Sequence, residues 1–167
     1  MQFHIETLGS QHDRKGFSCG TEALDRYLRE GVTQDVRRRI TACYVAIEST
    51  TSRLVGYYTL SATGIPVAEM PEHLMRHLPR YSSIPVARLG RLAVDSHYQG
   101  RRIGGAMLWD AVRRAARSEV AVYAMVVDAK DEQAEAFYRH HGFVAVGIGT
   151  SATDTRHLIL PITTALK

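Results

Sequence analysis

The chain lacks the features that mark several broad protein classes. Its 167 residues contain no apolar run near the about 18 residues of a membrane span, and Met1–Ser10 show no secretory signal. Its two cysteines, Cys19 and Cys43, lie far apart without metal-ligand spacing. No repeat, low-complexity segment or long linker divides the chain. We therefore expect one cytoplasmic domain, residues 1–167, with free thiols and no membrane contact.

The eight histidines do not form a recognisable metal pattern. His73 and His77 are four residues apart, but Leu74 stands where the helical zinc motif needs glutamate. His140 and His141 are adjacent and do not readily face one ion from a regular helix. The sequence therefore predicts no metal site.

Positive charge is moderately in excess, with a formal net charge of +4. That balance permits a polyanionic partner, such as a coenzyme or an RNA, without requiring one. Arg37, Arg38 and Arg39 are consecutive, and further arginines follow in the middle of the chain. Such groups form either a solvated face or a phosphate-binding surface.

The most informative stretch runs from Leu89 to Trp109. An alternating segment, Leu89–Asp95, predicts a strand, and a helical apolar pattern begins near Met107. A glycine- and arginine-rich turn separates them, with Gly100, Arg101, Arg102, Gly104 and Gly105. Free N–H groups at a helix start favour an anion, and glycines permit close approach of the backbone. The stretch indicates a phosphate cradle, although such glycines also serve plain turns.

Two blocks carry a family resemblance. Gln99 to Gly104, after a strand ending in Leu-Ala-Val, resembles motif A of the GNAT superfamily of N-acetyltransferases, whose loop binds the pyrophosphate of acetyl-coenzyme A. Arg102 replaces the middle glycine of that motif, and we expect it to keep a negative φ with its side chain outward. About thirty residues on, Asp131, Ala134, Phe137, Tyr138, Gly142 and Phe143 are similar to a second block of the family.

The resemblance implies acetyl-coenzyme A as cosubstrate, with no metal. The residues expected to bind it are Leu92, Ala93, Val94, Gln99, Gly100, Arg101, Arg102, Gly104, Gly105, Asp131 and Phe137. Asp131 either contacts the coenzyme or caps the following helix. The backbone N–H groups near Leu92–Val94, beside the cradle, are candidates to hold the acyl carbonyl.

The predicted elements match the GNAT fold, a mixed α/β sheet with helices on both faces, splayed between strands 4 and 5. Two short helices, around Leu24 and Val36, follow the first strand. A proline-rich stretch, Ile65–Pro85, predicts a loop with a short helix that either shapes an acceptor site or only connects strands. The remaining predictions are strands at Phe3–Leu8, Tyr44–Ile47, Val55–Ala62, Leu89–Asp95, Val120–Val127, Phe143–Val146 and His157–Ile162, and helices after Gly105 and over Glu132–His140.

Further dispersed blocks look like the GNAT-type toxins of bacterial toxin–antitoxin modules. They include His12, Phe17 to Gly20, Gly56 to Ser61, Gly90 to Asp95 and Val127 to Asp131. This resemblance implies acetyl transfer to the α-amine of aminoacyl-tRNA, which blocks translation, together with a ribbon-helix-helix antitoxin and a homodimer. A metabolic or protein N-acetyltransferase, and a coenzyme-binding module without catalysis, remain as alternatives.

Thioester-to-amine transfer benefits from an acid at the departing sulfur, and Tyr138 is the candidate. A phenol is protonated at neutral pH, and the family tyrosine at this position has that role. Packing beside Phe137 is the other interpretation. No general base stands out, and the acidic α-ammonium of an aminoacyl ester reduces the need for one. We expect Arg37, Arg38, Arg39 and Arg91 to contact tRNA phosphates.

Overall fold

A computed structural model of the protein describes residues 1–147 and 156–167. These residues contain seven strands and six α-helices. The strands are β1 (Phe3–Thr7), β2 (Ala42–Glu48), β3 (Leu54–Pro66), β4 (Ser83–Val94), β5 (Ala124–Ala129), β6 (Val144–Ala145) and β7 (Arg156–Pro161). The helices are α1 (Glu22–Arg26), α2 (Val32–Arg37), α3 (Glu72–Met75), α4 (Ile103–Arg117), α5 (Glu132–His140) and α6 (Ile162–Ala165).

The strands form one mixed sheet in the order β1-β2-β3-β4-β5-β7-β6. β4 and β5 pair in parallel, from Val86↔Ala124 to Leu89↔Val127, whereas β5 pairs with β7 in antiparallel fashion. The parallel pairing stops at Leu89, although β4 continues to Val94. This arrangement confirms the predicted mixed α/β fold and fits the predicted splay between strands 4 and 5.

The chain divides into two compact units, and β3, β4 and α4 pass from one unit into the other. The first unit comprises Met1–Ser61 and Gly90–Ala111. Its buried core contains Phe17, Leu28 and Tyr57, and the Phe17 and Tyr57 rings meet edge to face at 5.7 Å. Burial of these large side chains is the main force that holds α1 and α2 to β2 and β3.

The second unit comprises Ala62–Leu89 and Val112–Lys167. Its core includes Val86, Val126 and Ile159 from three neighbouring strands, packed with Met70 from the proline-rich stretch. That stretch therefore contributes a buried side chain as well as a connection.

A π-helical segment, Tyr27–Gly31, joins α1 to α2. The N–H of Val32 donates to the carbonyl of Tyr27, which inserts an extra residue into the turn. A Cβ at Gly31 would stand 2.9 Å from the Tyr27 ring, so the ring requires glycine there. The two predicted short helices are confirmed, and this π turn links them.

Some predicted boundaries are wrong. β4 begins at Ser83 rather than Leu89, and β5 begins at Ala124 rather than Val120. Val120 is 73% exposed, so its apolar side chain does not belong to the buried strand. Helix α6 was not predicted.

Two kinds of feature are missing from the part of the chain that the structure describes. It contains no helix long and apolar enough to cross a bilayer. It also contains no group of three or more His, Cys, Asp or Glu side chains placed to hold a metal ion.

Candidate active site

The candidate coenzyme loop of the first unit starts at a buried carboxylate. β4 ends at Val94, and the next residue, Asp95, is fully buried. Its side chain accepts hydrogen bonds from the backbone N–H of His97 at 2.9 Å and of Ser18 at 3.2 Å. These bonds compensate the burial of the charge and fix the short 3₁₀ turn, Ser96–Tyr98, against the end of the strand.

Gln99 also fixes the position of the loop through hydrogen bonds. Its Nε2 donates to the carbonyl of Val94 at 3.0 Å and to the carbonyl of Cys19 at 3.1 Å. Both donors of the amide are therefore engaged by the protein. In this structure the first residue of the motif positions the loop, and its predicted role in coenzyme binding remains a prediction.

The loop contains two residues in the left-handed region. Gly100 has φ +81°, and Arg102 has φ +64°. The expectation that Arg102 keeps a negative φ is therefore wrong. The turn into α4 needs the left-handed conformation that glycine adopts freely, and Arg102 adopts it at a cost of about 1–2 kcal/mol. Left-handed residues in such a turn aim successive N–H groups at one point, which forms an anion-binding concavity.

Helix α4 completes this cradle. It begins at Ile103, whose buried side chain anchors the first turn, and it runs for 15 residues. Gly104 and Gly105 lie in that first turn rather than in the loop. The N–H groups of a first helical turn have no partners within the helix, and the helix dipole adds positive potential. The loop and the helix start therefore favour a phosphate group.

Two exposed arginines add positive charge at the loop. The guanidinium of Arg101 lies 5.1 Å from the centre of the Tyr98 ring, and that of Arg53 lies 5.4 Å from it. The Tyr98 hydroxyl donates to Glu48 at 2.5 Å. Arg102 is exposed, and its side chain makes no hydrogen bond or ion pair with the described residues.

The predicted acyl-holding residues lie at the end of β4. Ala93 is buried, and Leu92 and Val94 are half-buried. Ala93 packs in the core of the first unit with Tyr57 and Leu54. The strand end therefore has a fixed position beside the loop that follows it.

The candidate acid lies in the second unit, on α5. Asp131 caps this helix, because its carboxylate accepts from the N–H of Ala134 at 2.7 Å. The cap alternative for Asp131 is thus confirmed, and coenzyme contact by the same side chain remains a prediction. The helix ends where Gly142 takes φ +98°, which matches the predicted bounds Glu132–His140.

Tyr138 is buried between two aromatic rings. Phe137 lies 5.2 Å and Phe143 5.5 Å from its ring centre, both edge to face. Burial and, to a smaller extent, the negative charge of Asp128 raise the pKa of Tyr138 to about 12. The phenol therefore keeps its proton at any physiological pH, as a proton donor must.

The arginines predicted to contact tRNA fall at the end of α2 and on β4. Arg37, Arg38 and Arg39 are exposed, and Arg39 closes the helix with φ +58°. Arg91 is half-buried, and its guanidinium lies 3.4 Å from the centre of the Tyr27 ring.

Tyr27 connects Arg91 to α2. Its hydroxyl donates to Asp35 at 2.8 Å, two residues before Arg37. Burial and this hydrogen bond raise the pKa of Tyr27 to about 12. The neutral ring therefore supports Arg91 through a cation–π contact beside the helix that carries the three exposed arginines.

Sequence reasoning missed Asp95 and Tyr27 as supporting residues. An aspartate directly after a strand and before a short turn is a recognisable capping signal, and Asp95 fits it. No comparable signal identified Tyr27, since its contact to Arg91 joins residues distant in sequence.

Comparison with known proteins identifies the family. Residues 39–145 match the acetyltransferase (GNAT) domain, so the chain belongs to the GNAT family of acetyltransferases. A relative from Mycobacterium tuberculosis, called a tRNA-acetylating toxin, is 35% identical over 150 residues, which are 89% of this chain and 85% of the relative.

Solved structures agree over nearly the whole chain. A Tyr-to-Phe mutant of KacT superposes with a TM-score of 0.88 at 30% identity, covering 99% of this chain and 98% of that one. AtaT complexed with acetyl-methionyl-tRNAfMet superposes with a TM-score of 0.86 at 28% identity, covering 98% of this chain and 96% of that one. A mutant AtaT toxin bound to acetyl-CoA and the C-terminus of the antitoxin AtaR superposes with a TM-score of 0.78 at 26% identity. This match covers 98% of this chain and 95% of that one.

Proposed function

We propose that this protein is a toxin that transfers an acetyl group from acetyl-coenzyme A to the α-amine of an aminoacyl-tRNA. The observation that carries the proposal is the likeness, over 98% of this chain, to AtaT complexed with acetyl-methionyl-tRNAfMet. The relative named as a tRNA-acetylating toxin supports the same substrate class. We further propose that the chain works as one GNAT domain, residues 1–167.

The pyrophosphate of the coenzyme is proposed to bind where the loop enters α4. The left-handed backbone at Gly100 and Arg102 and the first turn with Gly104 and Gly105 support this placement. Arg101 contributes charge, and Gln99 holds the loop in position. Asp131 and Phe137 are proposed as further contacts to the coenzyme.

The acetyl carbonyl is proposed to lie against the backbone of Leu92–Val94. Hydrogen bonds there would polarise the carbonyl and stabilise the oxyanion of the tetrahedral intermediate. Tyr138 is proposed to donate its proton to the coenzyme thiolate as the carbon–sulfur bond breaks. Its raised pKa and its burial support a group that is always protonated before the step.

The acceptor tRNA is proposed to approach over Arg37, Arg38, Arg39 and Arg91. The first three are exposed at one helix end, and Arg91 is linked to that helix through Tyr27. Contacts to phosphates position a nucleic acid without reading its sequence. Choice of the amino acid is left to other parts of the protein.

Acetylation of charged tRNA would block translation, and charged tRNA is used in the cytoplasm, where we place the protein. A ribbon-helix-helix antitoxin is the proposed neutralising partner, and a homodimer the proposed assembly. The AtaT toxin bound to the C-terminus of an antitoxin supports a protein partner of this kind.

Growth on expression without an antitoxin tests the proposal. Wild type should stop growth, Tyr138→Phe should not, and the control Tyr81→Phe should, since Tyr81 is 67% exposed. Arrest by Tyr138→Phe at equal expression would contradict the acid role. Normal growth with wild type, together with acetylation of free amines, would favour a metabolic or protein acetyltransferase instead.

A further inference from the structure

A carboxylate at the end of β5 joins a histidine and an arginine from the two neighbouring strands. Oδ1 of Asp128 lies 2.5 Å from Nδ1 of His157 on β7. Its other oxygen accepts a hydrogen bond of 2.7 Å from Arg88 on β4. All three residues belong to the second unit, and none was predicted as a site residue.

The register of the sheet explains how this cluster forms. Asp128 and His157 are directly opposed on β5 and β7. Arg88 and Leu89 form the last paired rungs of β4 with β5, opposite Val126 and Val127. The cluster therefore lies where the parallel pairing of β4 and β5 ends.

The candidate acid, Tyr138, belongs to the same unit as this cluster. The charge of Asp128 acts on the Tyr138 phenol in the same unit and raises its pKa, in addition to the larger effect of burial. The candidate proton donor and the histidine–carboxylate pair therefore belong to one unit. Such an arrangement of titratable groups is typical of acid–base sites.

The histidine is oriented as a base requires. In the neutral ring, Nδ1 donates to the Asp128 carboxylate and Nε2 is the acceptor. Nε2 has no hydrogen-bond partner among residues 1–147 and 156–167, and the side chain is 55% exposed. Arg88 holds the second oxygen of Asp128, which keeps the carboxylate from turning away.

We propose that His157, oriented by Asp128, is the general base that takes a proton from the acceptor ammonium before it attacks the thioester. This inference rests on the proposed acetyl transfer. His157 is then a catalytic residue, whereas Asp128 and Arg88 are positioning residues.

Nε2 of His157 takes one proton from the α-ammonium and later releases it to solvent. The neutral amine forms the nitrogen–carbon bond and gives the tetrahedral intermediate. As the carbon–sulfur bond breaks, Tyr138 gives its proton to the sulfur and regains one from the amide nitrogen. The products are the acetylated amine, free coenzyme thiol and one proton.

The charged partners of this cluster come from β5 and β4. Asp128 faces His157 from β5 and Arg88 lies beyond that carboxylate on β4. The next residue on β7, Arg156, pairs instead with Glu135 on α5.

The pH dependence of kcat/KM, measured from pH 5.5 to 9.5 on one aminoacyl-tRNA, tests the base. We expect His157→Gln to lower kcat/KM by about 100-fold at neutral pH and to approach wild type at high pH, where the amine is already neutral. Added imidazole should restore part of the rate. His4→Gln is the matched control, because His4 also faces a carboxylate, at 3.6 Å, and is 52% exposed.

A structural role for the cluster would give a different result. In that case His157→Gln would lower the melting temperature, leave the shape of the pH profile unchanged and gain nothing from imidazole, which would overturn the proposal. Asp128→Asn should reduce kcat more than it raises KM, since it removes the orienting charge.

The two proposals can fail separately. Wild type is assayed first on charged tRNA and on free amines. Acetylation of amines alone would contradict the proposed substrate, and the His157 comparison would then be made on that amine. No transfer to any amine would contradict both proposals.

Discussion

Replacing Arg102 with glycine should stabilise the protein. Arg102 has φ +64°, a conformation that costs a non-glycine residue about 1–2 kcal/mol. Glycine removes this cost but loses about 0.5–1 kcal/mol through the greater freedom of the unfolded chain. The side chain of Arg102 makes no hydrogen bond or ion pair with the described residues that would be lost. The net gain should be about 0.5–1 kcal/mol.

The neighbouring residue gives the matched control. Arg101 is not among the residues with positive φ, so Arg101→Gly incurs the entropic cost without relieving strain. It also loses the contact with Tyr98. The two substitutions remove the same charge from the same loop and should change stability in opposite directions.

Thermal and urea unfolding without coenzyme provide the assay. For a chain of this size, 1 kcal/mol corresponds to about 2–4 °C in melting temperature. Arg102→Gly should melt higher than wild type by about 1–4 °C, and Arg101→Gly should melt lower. Equal destabilisation by both substitutions would refute the argument that Arg102 is strained.

Three other substitutions test the site. Asp131→Ala should lower the free energy of unfolding by about 1 kcal/mol in urea, and Asp131→Asn should stay near wild type, because Asn also caps helices; equal losses would contradict the cap. Gln99→Leu should weaken acetyl-coenzyme A binding about tenfold in calorimetry. Gln99→Glu should weaken the binding more, since a carboxylate would face two carbonyl oxygens. Wild-type affinity in the glutamate variant would contradict the role of these two hydrogen bonds in positioning the loop. Tyr138 has a pKa of about 12, above its ordinary value of 10, so the difference in absorbance at 295 nm between wild type and Tyr138→Phe should show no ionisation below about pH 11. Because the unfolded state ionises first, the stability due to Tyr138 should be intact below pH 10 and decline above it; ionisation near pH 10 in the folded protein would show that the phenol is not buried.

Helix α5 could be predicted to the residue because local signals define both of its ends. Asp131 supplies the cap, and Gly142 supplies the left-handed stop. The strand limits at β4 and β5 could not be predicted in this way. Pro85 suggested a loop, yet it precedes the first paired rung at Val86 and accepts a hydrogen bond from Tyr123 through its carbonyl. Val120 looked like a strand residue, because apolar character alone does not show where pairing starts.

The candidate site likewise has features that the sequence predicts and features that only the fold reveals. The cradle was predictable because its residues are consecutive, although the φ of Arg102 depends on how α4 is entered. Gln99 was found by motif, but its bonds to Val94 and Cys19 needed the fold. The cluster of Arg88, Asp128 and His157 combines three strands, and nothing local in the sequence brings these residues together.

Acetyl transfer to charged tRNA is the proposed reaction of this protein. The most direct measurement incubates the purified protein with radiolabelled acetyl-coenzyme A and total aminoacyl-tRNA, with uncharged tRNA and free amino acids as controls. Label is expected on charged tRNA alone, on the α-amine of the attached amino acid. Label on free amines or protein, with none on charged tRNA, would contradict it.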